Sequence, residues 1–415
     1  MDMRKTWQAR LFAATFVLLV CVANAGAADP AWLEYGPDGA LARTIVTNGG
    51  ECPEIDIDRR RTRMRVHAEP AKNYDVRVCE AAIPGDARSA SIGGHALPVA
   101  KLGRAEKVAI VGDTGCRRKG GSPVQDCSDP KKWPFAAVAA SIAAWDPDIV
   151  LHVGDYYYRE AATCDKSGTC SKNTFYDWSR WNADFFTPAD PLLRNAPWIV
   201  VRGNHEMCGR AAEGWVRFLE PRNYVWENNA TCMSNLQFTP PYRVSAGALN
   251  VTVMDSSSVQ ESSEQQVPIL AGQLALLANA PANTWLMMHH PIWADDLGDP
   301  VTETLWGAWQ QAGSTTSAVS LLLTGHIHML EMISFTDNGV PLIVAGNGGT
   351  ALDKAPTNAP GLSVGPRVIK NFTADDDFGF ITATPGAEGW TFEIRDRNGR
   401  AKTRCGGTAT SLVCD

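Results

Sequence analysis

The chain has 415 residues, of which 45% are hydrophobic and 20% charged, and its formal net charge is −7. That length corresponds to two ordinary domains or one large domain with an extension. The composition excludes a disordered chain, and the acidic balance is not the basic footprint of a nucleic-acid binder.

The chain opens on what reads as an export signal. Arg4, Lys5 and Arg10 precede the apolar run LFAATFVLLVCVANA, and Ala23-Asn24-Ala25 fits a small-residue cleavage site. The run is short for a bilayer span, which takes about 20 residues. No later stretch is apolar enough to cross one. Val20 before Cys21 disfavours a lipid anchor there. A signal peptide over 1–25 and a secreted or periplasmic location are the expectations. Of 11 cysteines, the ten beyond Cys21 fall in neighbours: Cys52/Cys79, Cys116/Cys127, Cys164/Cys170, Cys208/Cys232 and Cys405/Cys414. Sequence leaves their connectivity open. Pairing of neighbours is the simplest arrangement, because short loops close cheaply. No C-x-x-C pair exists, which argues against a cysteine metal site.

Residues 26–104 carry short β-prone runs, ARTIVTNGG, RMRVHAEP, YDVRVCEA and HALPVAKLG, separated by Gly, Pro and Asn. They predict a small β-rich domain. The basic run at 58–64 reads as a solvated face, and His67 and His95 receive no role. From residue 106 the texture changes. KVAIV, DIVLHV, WIVV, LNVTVM, TWLMM and VSLLLT are near-continuous apolar runs, the pattern of strands buried on both faces. PFAAVAASIAAW between the first two is helical in composition and makes a β-α-β signal. GQLALLANA is a second helix candidate. The tail from 390 ends in CGGTATSLVCD and reads as a stapled extension.

Polar residues collect just past the ends of these runs. They are Asp113 in GDTG, Asp155 in GDYYY, and Asn204, His205 and Glu206 in GNHE. His289 and His290 follow in MMHHP, then His326 and His328 in GHIH. Ligands bind at the carboxyl ends of strands in open α/β sheets. Carboxylate, imidazole and amide oxygen together suit borderline or hard first-row cations, not a thiolate site. Two cations about 3.5–4 Å apart need a bridging anion, and an aspartate with two oxygens can bridge.

The ordered set GDxG, GDxxY, GNHE, HxP and GHxH, over residues 112–328, resembles the calcineurin-like metallophosphoesterases, and its GDxxY form resembles the purple acid phosphatase branch. The resemblance implies an α/β fold, a four-layer α/β/β/α sandwich over 105–415, here preceded by the small β-rich region. It also implies two metal ions. Asp113, Tyr158 and His328 would hold the first, Asn204, His289 and His326 the second, and Asp155 would bridge. A tyrosine hydroxyl with a pKa near ~10 is a poor ligand while protonated, so Tyr158 implies Fe(III) at site one, with divalent Fe, Zn or Mn at site two. Relatives with D-x-H in the first motif supply a histidine where Gly115 stands here. His205 takes the place beside the leaving group, and Asn204, His205 and His290 the substrate side. The implied activity is hydrolysis of phosphomonoesters by a metal-activated hydroxide. A phosphodiesterase or nucleotidase on the same centre is an alternative, as is a non-catalytic phosphate- or metal-binding protein. The implied partner is a small-molecule or protein phosphoester; nucleic acid and a membrane span are not expected, and the oligomeric state is open.

Plainer readings stand beside these. Tyr156 and Tyr157 read as packing, Glu206 as a structural hydrogen-bond partner, and His152 as core. Arg117, Arg118 and Lys119 read as a solvated loop, with compensation of negative charge at the site as the alternative. Asp295, Asp296 and Asp299 would repel an anionic substrate if they faced it. The pairs at Cys116, Cys164 and Cys208 either brace the site loops or stabilise the chain generally.

Overall fold

The computed structural model describes residues 29–120, 124–164, 169–293, 302–356 and 359–415. The expected signal segment, and Asp295, Asp296 and Asp299, lie outside the described residues.

Each of the six apolar runs contains a buried strand: Val108–Val111, Ile149–His152, Trp198–Val200, Leu249–Val253, Thr284–Met287 and Val319–Thr324. The first three lie side by side and parallel in an eleven-stranded sheet, with Val150 between Ala109 and Trp198. The last three, followed by Leu342–Ala345, are parallel neighbours in an eight-stranded sheet.

Alternate side chains of each strand point to opposite faces, and both faces here are apolar. Ile110, Leu151 and Ile199 meet Val251, Met287 and Leu323 of the second sheet in one core. The opposite faces are covered by helices. Ala109, Val150 and Val200 pack on Phe135 and Ile142 of the helix Phe135–Trp145, and on Leu192 of the helix Thr187–Leu193. Leu286, Leu322 and Val344 pack on Leu270 and Leu274 of the helix Gln266–Leu274, and on Leu305 of the helix Glu303–Ala312. The layers therefore run α/β/β/α. The second helix candidate starts earlier than its sequence run suggests, and its end tightens into a 3₁₀ turn over Ala275–Asn279.

The expected β-rich region is present, and its first strand continues the large sheet. Glu34 of Ala31–Gly36 pairs in parallel with Trp198. The strands Gly39–Val46, Arg77–Ile83 and Arg65–Ala68 follow outward. A separate four-stranded sheet is made from 54–57, 60–63, 90–92 and 95–97. The C-terminal hairpins extend the other edge of the large sheet. All five neighbouring cysteine pairs are disulfides. No described helix is long and apolar enough to cross a membrane.

Candidate metal centre

The motifs divide between the sheets. Asp113, Asp155 and Asn204 follow strands of the first sheet; His289, His326 and His328 follow strands of the second. The two sets meet because both sheets present the carboxyl ends of their parallel strands to one edge of the sandwich.

Asp113, Asp155 and His326 adopt φ values of 53°, 58° and 75°. Non-glycine residues rarely hold this left-handed backbone, and such strain clusters at functional positions. Hydrogen bonds hold these turns in place. The Asp113 N–H donates to Gly154 O and the Thr114 N–H to Asp155 O, each at 3.0 Å. The His326 N–H donates to Asp113 Oδ2 at 3.1 Å, and the His205 N–H to Asp155 Oδ1 at 2.8 Å. Close approach requires the glycine of GNHE, since a Cβ on Gly203 would stand 2.1 Å from Asp155 Oδ1.

The site-one donors gather around the Tyr158 hydroxyl. It lies 2.7 Å from Asp155 Oδ2, 3.0 Å from Asp113 Oδ1 and 2.9 Å from His328 Nε2. One phenol proton serves one acceptor at a time. Three acceptors around one hydroxyl, fully buried, are a set that a cation satisfies and a proton does not. Burial pushes the Tyr158 phenol well above its ordinary range, and the Asp113 and Asp155 carboxylates add to that. A bound cation reverses this balance and favours the phenolate. Gly115 is complementary to the tyrosine, because a Cβ there would lie 2.9 Å from the Tyr158 ring. A histidine at 115 and this ring position exclude one another.

The site-two donors gather around the Asn204 amide. Its inward-facing atom lies 3.0 Å from His289 Nε2, 3.3 Å from His326 Nδ1 and 3.0 Å from Asp155 Oδ2. With protons alone, the amide nitrogen suits that position; with a cation among these donors, the oxygen does. His289 Nδ1 donates to Val153 O at 2.8 Å, which aims Nε2 inward, the orienting bond usual for a ligating histidine. Burial opposes charge on His289, but the Asp155 carboxylate 3.3 Å away outweighs it and raises the ring to about 9. A proton then fills the role a cation would take. Burial pushes the Asp113 carboxyl well up, and neighbouring Asp155 adds to this. Asp113, Asp155 and His289 bring ligand atoms within 4.8 Å of one another. The donor set fits a pair of cations sharing Asp155.

His205 belongs to neither cluster. Its ring lies over Tyr158 with centroids 3.8 Å apart, its Nδ1 is 3.0 Å from Glu160 Oε1, and its Nε2 is 3.1 Å from Lys119 Nζ. Burial and the Arg210 guanidinium keep it neutral at ordinary pH, lowering it to about 3. His290 is buried beside His326, with ring centroids 4.2 Å apart, and its N–H donates to Ser256 Oγ at 2.9 Å.

The plain readings of the neighbours hold. The Tyr156 hydroxyl donates to Val201 O and that of Tyr157 to Phe175 O, and both rings pack in the helical core. Glu206 accepts from the Tyr156 and Tyr157 N–H groups at 3.0 Å each. Lys119 corrects the expectation of a solvated loop: it turns inward onto His205. Other supports carry no motif. Asp353 Oδ2 accepts from the His328 N–H at 3.1 Å and lies 3.6 Å from His328 Nδ1. Asp184 is fully buried and accepts from the N–H groups of Tyr158, Arg159 and Cys116. Burial raises its carboxyl to about 6 against the pull of Arg159. Glu160 adjoins the tyrosine run and gives no other signal.

Comparison with solved structures returns the same architecture. A purple acid phosphatase, PPD1, from yellow lupin (Lupinus luteus) seeds superposes with a TM-score of 0.56 at 16% identity, over 90% of this chain and 73% of that one. A PhoD structure superposes with a TM-score of 0.54 at 12% identity, over 93% and 91%. At such identities the likeness is one of fold. No curated protein sequence matches the chain. The sequence model of the calcineurin-like phosphoesterases matches residues 106–330, the stretch that supplies every donor described above. With more than half its length so matched, the chain belongs to the calcineurin-like phosphoesterase family.

Proposed function

We propose that the chain is an exported, acid-phosphatase-like enzyme that hydrolyses phosphomonoesters at a dinuclear centre. The observation that carries this reading is the convergence of Asp113, Asp155 and His328 on the Tyr158 hydroxyl within 3.0 Å. A pair of cations there supplies charge neutralisation for the phosphoryl group and a lowered pKa for water. Asp113, Asp155, Tyr158 and His328 are the donors of site one; Asp155, Asn204, His289 and His326 are those of site two. Phenolate and carboxylate are hard donors that favour Fe(III), whereas imidazole and amide suit divalent Fe, Zn or Mn. His205 Nε2 takes the role of acid or hydrogen-bond donor to the leaving oxygen; the ring is neutral and Nε2 accepts from the Lys119 ammonium, so the proton it delivers is first passed to it by Lys119. Asn204 and His290 border the substrate. Five disulfides fit an oxidising compartment and support export. We assign catalysis to 105–415, because every donor lies there, although the sheet itself runs on into 26–104.

Hydrolysis of 4-nitrophenyl phosphate and bis(4-nitrophenyl) phosphate by metal-loaded protein tests the reading. A kcat/KM preference for the monoester is expected. A diester preference would move the assignment to a phosphodiesterase. Two bound metals with turnover of neither substrate would leave a binding protein.

A further inference from the structure

The loop after the first motif does more than leave the strand. Cys116 is bonded to Cys127, and the main chains of Arg117 and Gln125 are joined by the Gln125 N–H to Arg117 O bond at 2.9 Å. The Arg118 N–H donates to Tyr158 O at 2.9 Å, tying the loop to the metal-bearing turn. The result is a stapled arm that holds Lys119 half-buried over the site. Its ammonium is 3.1 Å from His205 Nε2 and 5.8 Å from the Tyr158 ring centroid.

The group in direct contact with that ammonium is the neutral His205 ring, while the Glu160 and Asp155 carboxylates act on it only from beyond ion-pair distance. The carboxylate on the other side of His205, Glu160, is engaged by His205 Nδ1 and by Arg210. Among the described residues no carboxylate comes within ion-pair distance of Lys119 Nζ. On the same arm, Arg117 Nε is buried without a hydrogen-bond partner among the described residues. A half-buried cation without a directly paired anion is costly to maintain, and here it stands beside His205 at the edge of the Asp113, Asp155 and Tyr158 donor cluster.

Building on the phosphomonoesterase reading, we propose that Lys119 is a substrate-positioning residue, whose ammonium anchors a terminal oxygen of a dianionic phosphomonoester beside His205. A monoester dianion offers three terminal oxygens and two charges. A diester offers two oxygens and one charge, and its second ester arm must occupy the space next to Lys119. The stapled arm therefore selects for monoesters.

The test uses metal-loaded wild type, Lys119→Met and Lys119→Arg. Inorganic phosphate binding is measured by calorimetry, and KM and kcat for 4-nitrophenyl phosphate and bis(4-nitrophenyl) phosphate. Both substrates release the same good leaving group, so loss of a proton source affects them alike. A charge-assisted hydrogen bond corresponds to a roughly 10–100-fold change in affinity. Lys119→Met is expected to raise the phosphate Kd and the monoester KM by that factor, with both metals retained and a smaller rise in diester KM. Lys119→Arg should recover most of the loss. An unchanged phosphate Kd in Lys119→Met overturns the proposal, as does an equal KM rise for both substrates, which would mean Lys119 acts only by positioning His205. Wild type that binds no phosphate also overturns it. Wild type that binds phosphate through Lys119 but turns over no monoester removes the phosphatase reading and leaves the anion anchor standing.

Discussion

Asp155 Oδ2 lies 2.7 Å from the Tyr158 hydroxyl and 3.3 Å from His289 Nε2, one partner in each donor cluster. Asp155→Asn removes a charge that both cations would share, so it is expected to lose both metals or nearly all activity. Retention of two metals with near-wild-type turnover would exclude the bridging role. Tyr158→Phe keeps the packed ring and removes only the oxygen. If Fe(III) is held there as its phenolate complex, the oxidised wild type is coloured by charge transfer, and Tyr158→Phe loses the visible band. Tyr157→Phe should keep it, since that hydroxyl is bonded to Phe175 O, away from the cluster. Colour surviving in Tyr158→Phe and vanishing in Tyr157→Phe would reverse the assignment. His205→Ala should keep its metals and lose ~10²–10⁴ in rate, a range typical of general acid–base help. The loss should shrink for good leaving groups, which need little protonation. Equal losses across leaving groups would count against proton donation.

Among the elements, the disulfide-closed loops separate two readings of the cysteines. Cys116–Cys127 closes the arm that carries Lys119, while Cys208–Cys232 closes a longer loop after GNHE. A bridge over a loop of this size contributes ~2–4 kcal/mol, chiefly by restricting the unfolded chain. Cys116→Ala with Cys127→Ala should therefore lower Tm. If the bridge also positions the arm, phosphate affinity falls too, at constant metal content. A lower Tm with unchanged phosphate affinity would make it a general staple.

At the level of the molecule, a buried arginine adds to the strand pairing that ties the N-terminal strands to the rest of the fold. Arg43 donates to Phe218 O at 3.0 Å and Glu220 O at 2.8 Å, and pairs with Glu34 and Glu80. The two acids respond oppositely. Burial raises Glu34 to about 7 despite Arg43 and a hydrogen bond from Trp32, with Glu80 and Glu220 adding repulsion. Burial would raise Glu80 too, but His67 and Arg43 outweigh it and lower it to about 2. Glu80 therefore adds stability that is complete above pH ~4.5 and lost as pH falls through 2. Glu34 adds stability that is complete below ~4.5 and lost as pH rises through 7. The fold should be held most firmly in mildly acidic solution. Glu34→Gln mimics the protonated form, so its stability relative to wild type should rise on the order of 3 kcal/mol between pH 4.5 and 8. Parallel stability–pH curves for the two proteins would refute this.

The site chemistry was legible in the chain because its parts are local. A buried strand followed by a turn presents the next polar residue at a strand end, so Asp113, Asp155, Asn204, His289, His326 and His328 could be read from short motifs. Tyr158 is set apart from Tyr156 and Tyr157 by the resemblance of GDYYY to the GDxxY motif, and the cysteine pairs could be read from proximity. Local pattern does not encode what faces what. Two sheets had to pack before histidines of one could meet carboxylates of the other. The pairing of Glu34 with Trp198 joins segments far apart in sequence, and nothing in either strand specifies that edge. Lys119, Glu160 and Asp353 lie in loops and Asp184 in the helical turn Asn182–Phe186, and in sequence none of these charges differs from a solvated one. Burial, which sets the energy of their charge, and the partner each finds across the fold come only from the tertiary structure.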